Sequence, residues 1–123
     1  MIIDHIAICA KDTVSLKDWY VKVFGLKVFA EIAGEMPTFM LSTESRVAIE
    51  IFPCKVDTEI TDNNVRGFRH LSLHTEDIDS ELKKLEKLGI EIIQELTKIS
   101  DGLVKTIYFR DPEGNLIHYV QRF

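Results

Sequence analysis

The feature that most constrains the fold of this chain is an internal repetition. Asp4-His5-Ile6-Ala7-Ile8-Cys9-Ala10 and Arg69-His70-Leu71-Ser72-Leu73-His74-Thr75 share one alternation of polar and apolar residues, with histidine over histidine at an offset of 70 − 5 = 65. A period-two pattern reads as a strand, and a strand that recurs with its surroundings reads as a duplicated unit. The chain is therefore expected to build one supersecondary motif twice.

In the first copy, Ile2 to Ala10 is a strand with His5, Ala7 and Cys9 on one face and Ile6 and Ile8 on the other. Asp12 or Thr13 caps a helix whose Leu16, Trp19, Tyr20 and Val23 follow the i, i+3, i+4, i+7 spacing, and Gly25 stops it. Strands are expected at Lys27 to Ile32, Thr38 to Leu41 and Arg46 to Phe52, separated by Gly34-Glu35-Met36-Pro37 and the polar residues from Ser42 to Ser45. The unit reads βαβββ. After a polar linker from Pro53 to Gly67 the pattern restarts. The His70 strand precedes a helix capped by Asp77 or Asp79, with Ile78, Leu82, Leu85 and Leu88 on one face, Gly89 at its end, and a length matching the first. Strands then follow at Ile90 to Leu96, Lys105 to Phe109 and Asn115 to Arg122, with Asp111-Pro112-Glu113-Gly114 as the tight turn before the last. The closing hairpins align at an offset of 107 − 39 = 68, which sets Glu50 opposite His118 (118 − 50 = 68). The expected architecture is α+β: tandem βαβββ units, about 1–53 and 67–123, making one domain with one helix per unit.

Charge and composition narrow the partners. A net charge of −5 without a basic cluster argues against nucleic acid, and no apolar run approaches the ~18 residues of a membrane helix. Asp4 and His5 interrupt the N-terminal apolar stretch, so no signal peptide is expected and the reading is cytoplasmic. Two cysteines, Cys9 and Cys54, are too few for a disulfide framework and are expected to pack as free thiols. A small-molecule substrate is the expected partner. Arg46, Arg66, Arg69, Arg110 and Lys105 are the cations available to an anionic one.

His5, Glu50, His70 and His118 occupy the first and last strands of the two copies at repeat-equivalent positions, so a two-fold arrangement would converge them. Imidazole and carboxylate suit a divalent ion of borderline softness, Zn, Ni, Co, Mn or Fe(II), without selecting among them. The isolated reading of any one histidine is a hydrogen-bonded strand residue. A glutamate within Val47-Ala48-Ile49-Glu50-Ile51-Phe52 is harder to dismiss, because its carboxylate must face solvent or a partner. Four such positions related by a repeat favour a metal site. His74, on the face of His70, reads first as a residue at the sheet edge, and otherwise as a fifth ligand, a hydrogen-bond partner to a ligand or a substrate contact.

The paired units, Ile3-Asp4-His5-Ile6-Ala7, Trp19-Tyr20 through Phe24-Gly25-Leu26, Gly67-Phe68-Arg69-His70-Leu71 and Asp111-Pro112-Glu113-Gly114-Asn115-Leu116-Ile117 together resemble the vicinal oxygen chelate superfamily. This group holds glyoxalase I, bleomycin resistance proteins and extradiol dioxygenases, and the resemblance implies that the tandem units form a curved, barrel-like mixed sheet. The resemblance implies that His5, Glu50, His70 and His118 are the metal ligands, one divalent ion per site, and that the chain forms a homodimer. It implies a lactoylglutathione lyase-like enzyme that acts on vicinal oxygens through an enediolate, with Glu50 as the catalytic carboxylate. The last ligand is usually a glutamate, so His118 departs from the pattern and leaves Glu50 the sole carboxylate. The short stretch from Ile32 to Arg46 leaves little room for a thiol-binding loop. Fosfomycin-type thiol transfer and metal-free drug binding are the rival readings. Ring cleavage fits less well, because its carboxylate belongs on the last strand.

Overall fold

The computed structural model describes residues 1–59, 64–99 and 101–123. It divides into two compact units, Met1–Thr58 and Glu59–Phe123. The first contains β1 (His5–Ala10), α1 (Thr13–Phe24), β2 (Lys27–Ile32), β3 (Thr38–Ser42) and β4 (Ala48–Pro53). The second contains β5 (His70–His74), α2 (Ile78–Lys87), β6 (Ile92–Ile99), β7 (Val104–Arg110) and β8 (Leu116–Arg122). Each unit is βαβββ with a four-stranded mixed sheet, ordered β1-β4-β3-β2 in one and β5-β8-β7-β6 in the other. Neither sheet closes on itself. The class is α+β, as the sequence predicts.

The registers display the duplication. In the first unit Ala7 pairs with Glu50 and Met40 with Glu50. In the second, Ser72 pairs with His118 and Tyr108 with His118. The offsets are 72 − 7 = 65 for the opening strand and 118 − 50 = 108 − 40 = 68 for the closing hairpin. Both match those read from the sequence.

Alternation then decides what is buried. Phe39, Leu41, Ile49 and Ile51 face Leu16, Tyr20 and Val23 of α1, while Ile107, Phe109, Ile117 and Tyr119 form the equivalent core with Ile78 and Leu85 of α2. Trp19 is half-buried and joins Tyr20 and Phe24 in an edge-to-face cluster with centroids 5.2–5.3 Å apart. The residues of opposite parity, including all four candidate ligands, lie on the sheet faces away from the helices.

The helix ends follow capping chemistry. Asp12 and Asp77 are the N-caps, each accepting a bond from the backbone N–H three residues on, at 2.9 Å from Ser15 and 3.0 Å from Ser80. Gly25 closes α1 at φ +68 with nothing near its would-be Cβ, so it is the left-handed backbone and not lack of space that requires glycine. The second helix is two residues shorter than the first, not equal to it. Ile90 donates to the Leu85 carbonyl at 3.0 Å, which keeps it in the helix terminus, so β6 begins at Ile92 instead of Ile90 and runs on to Ile99. The fourth strand also starts late, at Ala48, because the Thr43 hydroxyl donates to the Val47 carbonyl at 2.6 Å and holds that stretch as a turn.

Before β8, the Gly114 N–H closes the Asp111 turn at 3.0 Å. The buried Asp111 carboxylate accepts from the backbone of Glu113 and Asn115 and from the Asn115 amide, all at 2.9 Å. This turn sets where His118 falls along the last strand. Part of the expected linker, residues 60–63, lies outside the described residues. Among those described, no helix is long and apolar enough to cross a membrane.

Candidate functional site

In the first unit β1 runs parallel to β4 and places His5 and Glu50 on one face. His5 Nε2 lies 3.3 Å from Glu50 Oε2, and its Nδ1 lies 2.8 Å from Asp4 Oδ2. Glu50 is largely covered, with 26% of its side chain exposed, so the carboxylate is drawn toward the imidazole and away from bulk water. The hydrogen bond to Asp4, opposed by partial burial and reinforced by the Glu50 charge, holds the His5 pKa above its ordinary 6.5.

In the second unit the arrangement is aromatic. Tyr108 stacks flat on His118, with centroids 4.2 Å apart and planes within 4°. His70 stands edge-on to both rings, at 5.4 Å from His118 and 5.7 Å from Tyr108. Ser72 Oγ lies 3.2 Å from His118 Nδ1. The other ring nitrogen, Nε2, is buried without a hydrogen-bond partner. Such an atom is costly to leave unsatisfied, which makes it a candidate contact for a water, an ion or a ligand. Burial, with the charges of His70 and Arg122 beside it, pushes the His118 pKa down.

The two imidazoles are thus biased in opposite directions. In a proton NMR titration His5 is expected to titrate with a midpoint above 6.5 and His118 below it. Because the folded-state pKa of His5 is raised, its contribution to stability is complete below the unfolded value of 6.5 and fades as pH rises through the folded value. A cation competing with the proton for His5 would bind better as pH rises over the same interval.

The structure brings together His5 with Glu50, and His70 with His118. Among the described residues no three His, Cys, Asp or Glu side chains gather closely enough to hold a metal ion. A catalytic divalent site takes three protein ligands and an open position, so neither pair is complete alone. The donor types nevertheless suit a divalent ion, imidazole with carboxylate in one pair and two imidazoles in the other, and His118 Nε2 has no partner within the protein. His74 is bonded to Glu76 at 2.8 Å and is exposed at the end of β5. Lys105 is paired with Asp79 at 2.6 Å, and Arg110 donates to the Gly114 carbonyl at 2.7 Å. Cys9 is exposed on the His5 face instead of packed, because alternation along β1 gives the buried position to Ala10.

A cleft of about 250 Å³ opens beside His70, lined by Arg69, His70, Ile93, Gln94, Tyr108 and Leu116. Arg69 Nε donates to the Gly67 carbonyl at 3.3 Å. Neither Ser72 nor Tyr108 stands out as a site residue in the sequence. Their signal is relational: each differs from its repeat equivalent, Ala7 and Met40, at the two positions flanking the change from Glu50 to His118.

Comparison with known proteins agrees with this architecture. The glyoxalase family protein from Enterococcus faecalis is 25% identical, with a TM-score of 0.82 over 97% of this chain and 96% of that one. A lactoylglutathione lyase from Agrobacterium tumefaciens is 22% identical, with a TM-score of 0.75 over 98% and 92%. TnmS3, an antibiotic binding protein from Streptomyces sp. CB03234, is 18% identical, with a TM-score of 0.76 over 100% and 97%. No curated protein matches the chain. The family model for the Glyoxalase/Bleomycin resistance protein/Dioxygenase superfamily matches residues 2–119, nearly the whole of both repeats. The chain belongs to that superfamily.

Proposed function

We propose that the protein is a metal-dependent lyase or isomerase of the glyoxalase type, with His5, Glu50, His70 and His118 as ligands and Glu50 also as the proton carrier. It would move a proton between adjacent oxygen-bearing carbons of a small substrate. The observation that carries this reading is the His5–Glu50 pair at 3.3 Å, matched at repeat-equivalent positions by His70 and a His118 whose buried Nε2 has no partner. Three neutral imidazoles and one carboxylate would leave a divalent ion a net charge of about +1, and such an ion would supply Lewis-acid polarisation of substrate oxygens.

The chain's own groups divide the remaining work. Asp4 engages His5 Nδ1 and so turns Nε2 toward Glu50. Glu50 accepts the proton, since it is the only carboxylate of the four and a liganded imidazole has no lone pair to spare. Burial, with the charges of His70 and Arg122 beside it, pushes the His118 pKa down and so favours its neutral form. A mixed polar and apolar cleft beside His70 suits a small substrate, either a thiol adduct or another anion.

The test is solvent-deuterium exchange at the substrate's α-carbon in metal-loaded protein. Three substrate classes are offered: hemithioacetals of glutathione and of a smaller thiol, 2-oxo acids, and CoA thioesters. Exchange in one class is expected, and inertness toward all three would overturn the reading. We place the enzyme in the cytoplasm as a homodimer. Two thiols outside any disulfide support the first, and the exposed apolar Val28, Phe29 and Ile32 of edge strand β2 support the second.

A second reading follows from the cleft together with the likeness to an antibiotic binding protein. Here the protein would sequester an amphipathic small molecule without turnover. Tight binding unaffected by His5→Ala would favour it.

A further inference from the structure

We propose that Ser72 is a positioning residue: its hydroxyl oxygen accepts a hydrogen bond from Nδ1–H of His118 and thereby leaves Nε2 as the bare lone-pair nitrogen of that ring. This inference deepens the metal-centre reading and rests on it only for the use to which Nε2 is put.

Four observations carry it. Ser72 Oγ is 3.2 Å from His118 Nδ1, and the two residues are register partners across the parallel β5–β8 ladder. Nε2 is buried with no partner in the protein, so no group of the chain competes for its lone pair and Ser72 is the side chain that meets the ring through Nδ1. Tyr108, the register partner of His118 on β7, stacks at 4.2 Å and 4° and fixes the plane of the ring, so that the serine meets one nitrogen only.

The fourth observation comes from the repeat. Where the first unit has Glu50, a carboxylate with no ring nitrogen to satisfy, the equivalents of Ser72 and Tyr108 are Ala7 and Met40. Hydroxyl and aromatic ring appear together with the imidazole. A neutral imidazole's tautomer is set by the bond its other nitrogen makes, and a metal-binding histidine needs an acceptor at the nitrogen that keeps its proton.

The reverse polarity, Ser72 donating to Nδ1, would put the proton on Nε2 and make His118 a donor toward substrate. The two arrangements are distinguishable in the metal-free protein. Nitrogen-15 imidazole NMR at pH 8, with His118 assigned by comparison with His118→Gln, is expected to show the Nδ1–H tautomer in the native chain. Ser72→Ala should shift the ring toward Nε2–H and weaken Co(II) binding about 10–100-fold, and Ser72→Thr should restore both. Ser72 is exposed, so the alanine variant is expected to fold, and its amide spectrum checks this.

An Nε2–H tautomer in the native protein, or a tautomer unchanged in Ser72→Ala, would overturn the proposal. A tautomer that shifts in Ser72→Ala while the native protein binds no Co(II) would uphold the role of Ser72 and overturn the metal reading instead.

Discussion

Glu50→Gln is expected to slow α-proton exchange by about 10²–10⁴-fold at saturating metal, the range that a positioned acid–base group contributes. The substitution keeps the shape of the side chain and one oxygen acceptor, but an amide cannot take up the proton. Glu50 lies 3.3 Å from His5 Nε2 on the helix-free face of the first sheet, so the variant keeps a polar contact and should fold normally. Glutamine is also a weaker, uncharged ligand, so the rate must be measured across a metal titration to separate loss of occupancy from loss of the base. A variant that stays within about tenfold of the native rate at saturating metal would remove Glu50 as the proton carrier.

The largest effect on stability is expected at Phe109. Its ring is fully buried in β7, edge-to-face with Tyr119 at 5.0 Å, in a core otherwise made by Ile107, Ile117, Ile78 and Leu85. Truncating a buried phenylalanine costs about 3–5 kcal/mol through lost burial and the cavity left behind. The unit that contains it is 123 − 59 + 1 = 65 residues long. Domains of about that size bury only ~60% of their unfolded surface and are marginal. Phe109→Ala is therefore expected to unfold much of the second unit at room temperature, seen as a loss of far-ultraviolet circular dichroism and of the cooperative urea transition. Leu88→Ala, at a 37% exposed position, is the control and should shift the midpoint little. A Phe109→Ala protein with a near-native midpoint would show that the core is not centred on this ring.

Much of this fold is legible in the sequence because the chain repeats itself. The offset of 65 between His5 and His70, and of 68 between Glu50 and His118, anticipates the observed registers, in which Ala7 faces Glu50 and Ser72 faces His118. The helix limits are legible too, since Asp12, Asp77, Gly25 and Gly89 carry specific backbone chemistry. What is not legible depends on contacts that cross strands. The start of β6 is governed by a helix-terminal bond from Ile90 to Leu85, and periodicity does not distinguish Ile90 from Ile92. Cys9 sits in an apolar run yet on the exposed parity of an edge strand, and composition alone suggests burial. Ser72 and Tyr108 look ordinary in their own segments. They acquire meaning only when register places both against His118.

The proposed metal centre of His5, Glu50, His70 and His118 is tested most directly by elemental analysis of tag-free protein purified without chelator. The native chain would be compared with His5→Ala, His70→Ala and His118→Ala. About one divalent ion per chain is expected in the native protein, and its loss in each variant, as follows when three or four donors hold one ion. No bound metal in the native protein, even after incubation with Ni, Zn, Co, Mn and Fe(II), would contradict the proposed centre, and the four residues would then be polar walls of a ligand-binding surface.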